Sequence, residues 1–179
     1  MKIHFHGAVR TVTGSLHIVE TARGDMLFLD CGMFQGRRAE ARERNTALPV
    51  QPSRVQAVLL SHAHIDHSGN LPTWAKAGLR CPVYATGATV ELAGLMLRDS
   101  ANIQLLDVRY LNKRRRNREE EEVAPLYTPE HAEAAIKLLR PRAYNQWFDV
   151  LPGLRACFTD AGHILGSAAI TLEERVNGT

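Results

Sequence analysis

The sequence predicts an α/β protein, of α+β character, built on a mixed sheet. Three observations lead there. Strands and helices alternate through the middle of the chain, strand patterns cluster at both ends, and 45% hydrophobic against 23% charged residues is the balance of an ordinary globular chain. The 179 residues amount to one domain with a sizeable core.

Taken in order, Lys2 to His6 alternates, Ser15 to Glu20 carries Leu16, Ile18 and Val19, and Met26 to Leu29 is a short apolar run. Gly7, Gly14 and Gly24 punctuate them, which predicts an antiparallel meander. Residues 36–54 are polar, with Pro49 and Pro52, and predict a helical turn followed by a loop. Val55 to Leu60 is an apolar run interrupted only by Gln56 and has the length of a buried strand. Asn70, Pro72 and Gly78 outline a short helix, Asn70 as its cap. Pro82 to Ala85 follows as a strand, and a helix starting at Thr86 or Gly87 runs to about Leu111 with Val90, Ala93, Leu97 and Ala101 on one face. Thr128 before Pro129 starts another helix, with Ala132, Ala135, Ile136 and Leu139 at helical spacing and Pro141 as its stop. Gln146 to Val150, Leu154 to Thr159 and Ser167 to Glu173 complete the pattern as strands.

The composition excludes several functional classes. No run approaches the roughly 18 apolar residues a membrane span needs, and the N-terminus has no secretory apolar region. Cys31, Cys81 and Cys157 are odd in number and lack C-x-x-C spacing, which argues for small buried side chains in a reducing cytoplasm. A net charge of +3 permits a nucleic-acid partner without arguing for one. The run Lys113 to Arg118, followed by Glu119 to Glu122, nearly cancels in charge and reads as a solvated helix end or loop; contact with phosphate is the alternative.

The chemistry concentrates in His62-Ala63-His64-Ile65-Asp66-His67, directly after the apolar strand. Chance produces such a cluster roughly once in a thousand chains of this composition. A strand end splays alternate side chains to one side, so His62 and His64 can point at one ion. Asp66 and His67 come from the following turn and can face a second point, and paired ions in hydrolases sit roughly 3.5–4 Å apart. Imidazole and carboxylate suit Zn²⁺. His163, between Gly162 and Gly166 after a predicted strand, is the candidate third ligand of the first ion. Asp30, ending the strand at Leu29, is read as an acceptor that orients a ligating histidine, a turn-forming carboxylate being the alternative. His4, His6, His17 and His131 lack such a context; the first three alternate along strands and read as structural, and His131 sits in the first turn of a helix.

The order Leu29-Asp30-Cys31-Gly32, then Ser61 to Gly69, then Ala161 to Ala168 resembles the metallo-β-lactamase superfamily along the whole chain. Gly7 to Ser15, Phe34-Gln35-Gly36 and Gly162-His163 with Gly166-Ser167-Ala168 resemble its β-CASP branch of RNA-processing nucleases. The resemblance implies the first half of an αββα sandwich, with His62, His64 and His163 on one zinc, Asp66 and His67 on another, and Asp66 as the catalytic residue that orients the attacking hydroxide. It implies in-line cleavage of a phosphodiester in single-stranded RNA. A thioesterase of the glyoxalase II type, a lactonase, or a catalytically incomplete metal-binding fragment are the alternatives. The family pattern continues with a bridging aspartate and a β-CASP domain, whereas no Asp follows Asp160 and the chain ends at Val176 to Thr179. Residues 1–179 are therefore expected to be the N-terminal part of a larger domain, with one zinc or none. A sheet face would lie bare, favouring a homo-oligomer or a missing C-terminal half.

Overall fold

The computed structural model describes residues 1–175; Val176 to Thr179 lie outside them. Nine strands and five α-helices follow in chain order. Strands β1 (Lys2–Phe5), β2 (His17–Glu20) and β3 (Met26–Leu29) form the antiparallel meander that the glycine punctuation predicts. Helix α1 (Arg38–Thr46) and a 3-10 turn, Pro52–Arg54, lead to β4 (Val55–Leu59), which pairs parallel to β3. Helices α2 (Ile65–Ser68) and α3 (Leu71–Lys76) precede β5 (Val83–Thr86), and α4 (Gly87–Arg116) and α5 (Pro129–Ile136) precede β6 (Leu139–Arg142). Strands β1 to β6 make one mixed sheet in sequence order. Strands β7 (Trp147–Leu151), β8 (Leu154–Asp160) and β9 (Ala168–Glu174) make a second, antiparallel one.

From β2 to β5 each face of the larger sheet is covered, while the edge strand β1 is exposed. On one face Phe28, Val58 and Val83 pack with Leu71, Trp74 and Ala93 of the helices. Trp74 is fully buried edge-to-face on Phe28, with centroids 4.7 Å apart, a pairing that adds about 0.5–1.5 kcal/mol beyond its buried area. On the other face Leu27, Ala57 and Leu59 pack with Val150, Ala156 and Phe158 of the second sheet. The face expected to lie bare is thus covered by β7–β9, because inward residues alternate along β7 and β8 while Trp147 and Arg155 stack outward, 4.5 Å from guanidinium to ring.

Three local expectations change. Leu139 and Pro141 belong to β6, not to the end of a helix. Helix α5 stops at Ile136, and β6 is the edge of the sheet, where a proline without an N–H is tolerated. Asn70 stands before α3 without capping it by its side chain. The chain arrives already in helical conformation, and the Asn70 amide donates to the Asn45 carbonyl instead, at 3.1 Å. Helix α4 runs one further turn, to Arg116, where half-buried Arg115 and exposed Arg116 pair with Glu120 and Glu122 at 3.2 and 2.9 Å. The charge run is therefore a solvated helix end.

Cys31 and Cys157 are buried and all three cysteines are free. Burial lifts the Cys31 thiol well above its ordinary range and the Cys81 thiol to about 12, so both stay protonated. No helix among the described residues is long and apolar enough to cross a membrane.

Candidate metal centre

Strands β3 and β4 run parallel, so Asp30 and Ser61-His62 emerge at the same edge of the sheet. The segment after β3 then binds the segment after β4 backbone to backbone. Cys31 N–H donates to the His67 carbonyl at 2.8 Å, Met33 N–H to Ile65 at 2.9 Å, and Asn70 N–H to Cys31 at 3.0 Å. Ser15 N–H adds a 2.8 Å bond to the Asp66 carbonyl. Gly32 is obligatory at this crossing: a Cβ there would stand 1.7 Å from the Asp66 carbonyl oxygen and 2.7 Å from Ser15 N. Ile65, Asp66 and His67 of the ligand loop are therefore held by main-chain bonds before any side chain contributes.

On that frame the imidazoles of His62, His64 and His163 converge, with one ring nitrogen of each within 4.8 Å of the others. Their centroids form a near-equilateral triangle of 4.9, 4.9 and 5.0 Å, every pair edge to face. His62 Nε2 lies 3.1 Å and His163 Nε2 3.3 Å from His64 Nδ1. Tetrahedral zinc with nitrogens at about 2.0–2.1 Å sets neighbouring donors roughly 3.3–3.4 Å apart. The donor set and its spacing fit such an ion with a fourth position left for water.

The other ring nitrogens decide which lone pairs face the centre. Asp30 accepts from Ser61 N–H at 2.8 Å and from the Ser61 hydroxyl at 3.0 Å. With its proton given to Asp30, the Ser61 oxygen accepts from His62 Nδ1–H at 2.9 Å, leaving the Nε2 lone pair towards His64. Asp30 also accepts from His67 Nδ1–H at 2.7 Å, and His67 Nε2 then faces Asp66, 3.7 Å away. One carboxylate thus sets two imidazoles, His67 directly and His62 through a hydroxyl. Asp30 is itself held in the left-handed region at φ 60°, which a short carboxylate side chain tolerates.

Electrostatics follow the same layout. Burial drives His62 down to about 4, with the neighbouring His67, His64 and His163 adding to the effect and Asp30 opposing it. Burial also disfavours charge on His67, but the Asp30 hydrogen bond and the charges of Asp30 and Asp66 outweigh it and raise that imidazole above its ordinary value.

The structure brings His62, His64 and His163 together and sets Asp66, His67 and Asp30 beside them. Among the described residues no third donor closes on Asp66 and His67 as tightly. His4 pairs with Glu20 at 3.1 Å, His17 stacks edge-on against Phe5 with centroids 5.0 Å apart, and His131 closes a capping box with Thr128. None of these joins the cluster. Ser61 is the residue that the sequence reading passed over; its only signal is its place between a strand end and the first histidine.

The sequence pattern of the metallo-beta-lactamase superfamily matches residues 13–140. A protein named Ribonuclease TTHA0252 from Thermus thermophilus is 40% identical over 173 residues, covering 97% of this chain and 35% of that protein. An RNase J-like protein from Methanocaldococcus jannaschii is 30% identical over 171 residues, 96% of this chain and 33% of its own length. Transcription termination factor FttA of the same organism is 29% identical, covering 94% of this chain and 24% of its own length. The chain spans about a third or less of these relatives. In fold, it resembles MEM-A1, a subclass B3 metallo-beta-lactamase from a soil metagenome library, with a TM-score of 0.55 at 16% identity over 99% of this chain and 56% of that one.

Proposed function

The chain belongs to the metallo-β-lactamase superfamily, and on that premise we propose that it carries the metal site of a zinc-dependent hydrolase cleaving phosphodiester bonds in single-stranded RNA. The observation that carries this is the convergence of His62, His64 and His163 on one point. Relatives named ribonuclease and RNase J-like support the choice of RNA. The glycine-rich segments Gly7 to Ser15 and Gly162 to Ala168 agree with the β-CASP branch.

We assign His62, His64 and His163 to one zinc, and Asp66 and His67 to a second whose remaining donors lie beyond this set. Bound zinc would supply Lewis acidity and lower the pKa of a coordinated water towards about 7. The protein's own groups do the rest. Asp66 accepts a hydrogen bond from the attacking water and turns its lone pair to phosphorus. Asp30 holds His67 and, through Ser61, His62 in the tautomers that present Nε2. Single-stranded RNA would be held chiefly by its backbone charge.

The test compares a labelled RNA oligomer with a thioester as substrates of the zinc-loaded chain. Metal-dependent RNA cleavage, weak because the second site lacks further donors among the described residues and lost in His64→Ala, is the expected result. Thioester cleavage without RNA cleavage would move the assignment to a small-molecule hydrolase, and turnover of neither by a zinc-loaded chain would leave a metal-binding module.

A further inference from the structure

We propose that Thr86 and Thr89 are positioning residues for the third imidazole: their two buried hydroxyls hold the loop of His163 by a single carbonyl and so set metal affinity. The need for such a device is visible at His163. Its side chain is exposed, and its one hydrogen-bonding neighbour among the described residues is His64 Nδ1, 3.3 Å away. Its aromatic neighbours among the described residues are His62 and His64, themselves candidate ligands, so the backbone of residues 161–168 must place it.

That backbone is anchored at two ends. Ala168 N–H donates to the Ser61 carbonyl at 2.8 Å, next to the first histidine. At the other end the Gly166 carbonyl points into the start of α4. It accepts from Thr86 Oγ1 at 2.6 Å and Thr89 Oγ1 at 2.8 Å, with both threonines buried. Two hydroxyl protons serve three close oxygen approaches. Thr86 Oγ1 also accepts from Thr89 N–H at 3.3 Å as the cap of α4. If each hydroxyl gives its one proton to Gly166, the 3.0 Å approach of the two hydroxyl oxygens carries none. A carbonyl oxygen at a helix N-terminus also meets the positive end of the helix dipole.

Gly166 fits the clamp for a steric reason. Its φ is +85°, and a Cβ would fall 2.6 Å from Thr89 N and 2.9 Å from Thr86 Oγ1. Between the anchors, Ser167 Oγ accepts from His163 N–H at 3.1 Å and Ile164 N–H at 3.2 Å, and Tyr144 O–H donates to the Ser167 carbonyl at 2.8 Å. The clamp thus reaches the histidine backbone through one residue.

Since this rests on His163 being a ligand, the experiment measures zinc affinity of the metal-free chain by chelator competition, with the visible spectrum of the Co²⁺ form as a second readout. Thr89→Val and the double change with Thr86→Val remove donors without changing shape. Outer-shell partners of metal ligands are worth roughly 10–100-fold in affinity, so the double variant should bind zinc at least tenfold more weakly, approaching His163→Ala, and its Co²⁺ spectrum should lose intensity. Thr86→Ser with Thr89→Ser should restore both. Ser100→Ala, which removes a hydrogen bond from α4 to Tyr127, should leave affinity unchanged. If the double variant fails to fold, the single Thr89→Val decides by the same criterion. A folded valine variant with wild-type affinity and spectrum would overturn the clamp. Equal affinity of wild type and His163→Ala would instead overturn the ligand assignment beneath it.

Discussion

Asp30 Oδ2 and His67 Nδ1 stand 2.7 Å apart, and that bond reverses the effect of burial on the imidazole. In Asp30→Asn the charge and the strong acceptor go while burial stays. The pKa of His67, followed by NMR of its ring protons in the metal-free chain, should then fall from above to below 6.5. A value that stays raised would assign the shift to Asp66 alone.

His62 responds to pH in the opposite sense. Its folded-state pKa is lowered from 6.5 to about 4. Below pH 6.5 the unfolded chain therefore takes up a proton that the folded chain refuses, and stability is lost as pH falls from 6.5 to 4. The contribution of His67, raised in the fold, is fully present below 6.5 and is lost as pH rises through its folded value. In His62→Gln, urea midpoints of the metal-free protein should drop less between pH 6.5 and 4 than in wild type. An identical drop would mean that His62 titrates normally.

Ser61 links Asp30 to His62 by bonds of 3.0 and 2.9 Å. Ser61→Ala leaves His62 free to present either tautomer, and zinc affinity should fall about 10–100-fold. Far-UV circular dichroism should not change, because Ser61 N–H still bonds Asp30 at 2.8 Å. Wild-type affinity in this variant would remove the hydroxyl from the account.

Gly32→Ala tests the backbone crossing beneath the site. The added methyl must displace the Asp66 carbonyl, 1.7 Å away, and this neighbour is main chain. Overpacking of this kind costs about 1–3 kcal/mol or more, so we expect a loss of at least about 2 kcal/mol in urea unfolding together with weakened metal binding. Unchanged stability would show that the two segments separate more easily than their hydrogen bonds suggest.

Much of this architecture is legible in the sequence. Met26–Leu29 and Val55–Leu59 can be read because a strand buried between layers is mostly apolar, Gln56 being the exposed exception, and α4 because Ala93, Leu97 and Ala101 line a single face. The strand Leu139–Arg142 is hidden because Leu139 continues the helical spacing of Ala132 and Ala135, and Pro141 looks like a stop signal until its edge position is known. Within the site, the histidines show by spacing alone. Ser61 and the pair Thr86 and Thr89 do not, since a hydroxyl becomes a support only when the topology brings its partner, Asp30 or Gly166, from a distant part of the chain.

The most direct test is X-ray absorption at the zinc edge of the chain loaded with one equivalent of zinc, for wild type and for His62→Ala, His64→Ala and His163→Ala. Convergence of the three rings predicts three imidazole nitrogens at about 2.0–2.1 Å and one oxygen from water, with one imidazole lost in each variant. A first shell that keeps the same imidazole count without His163 would contradict it.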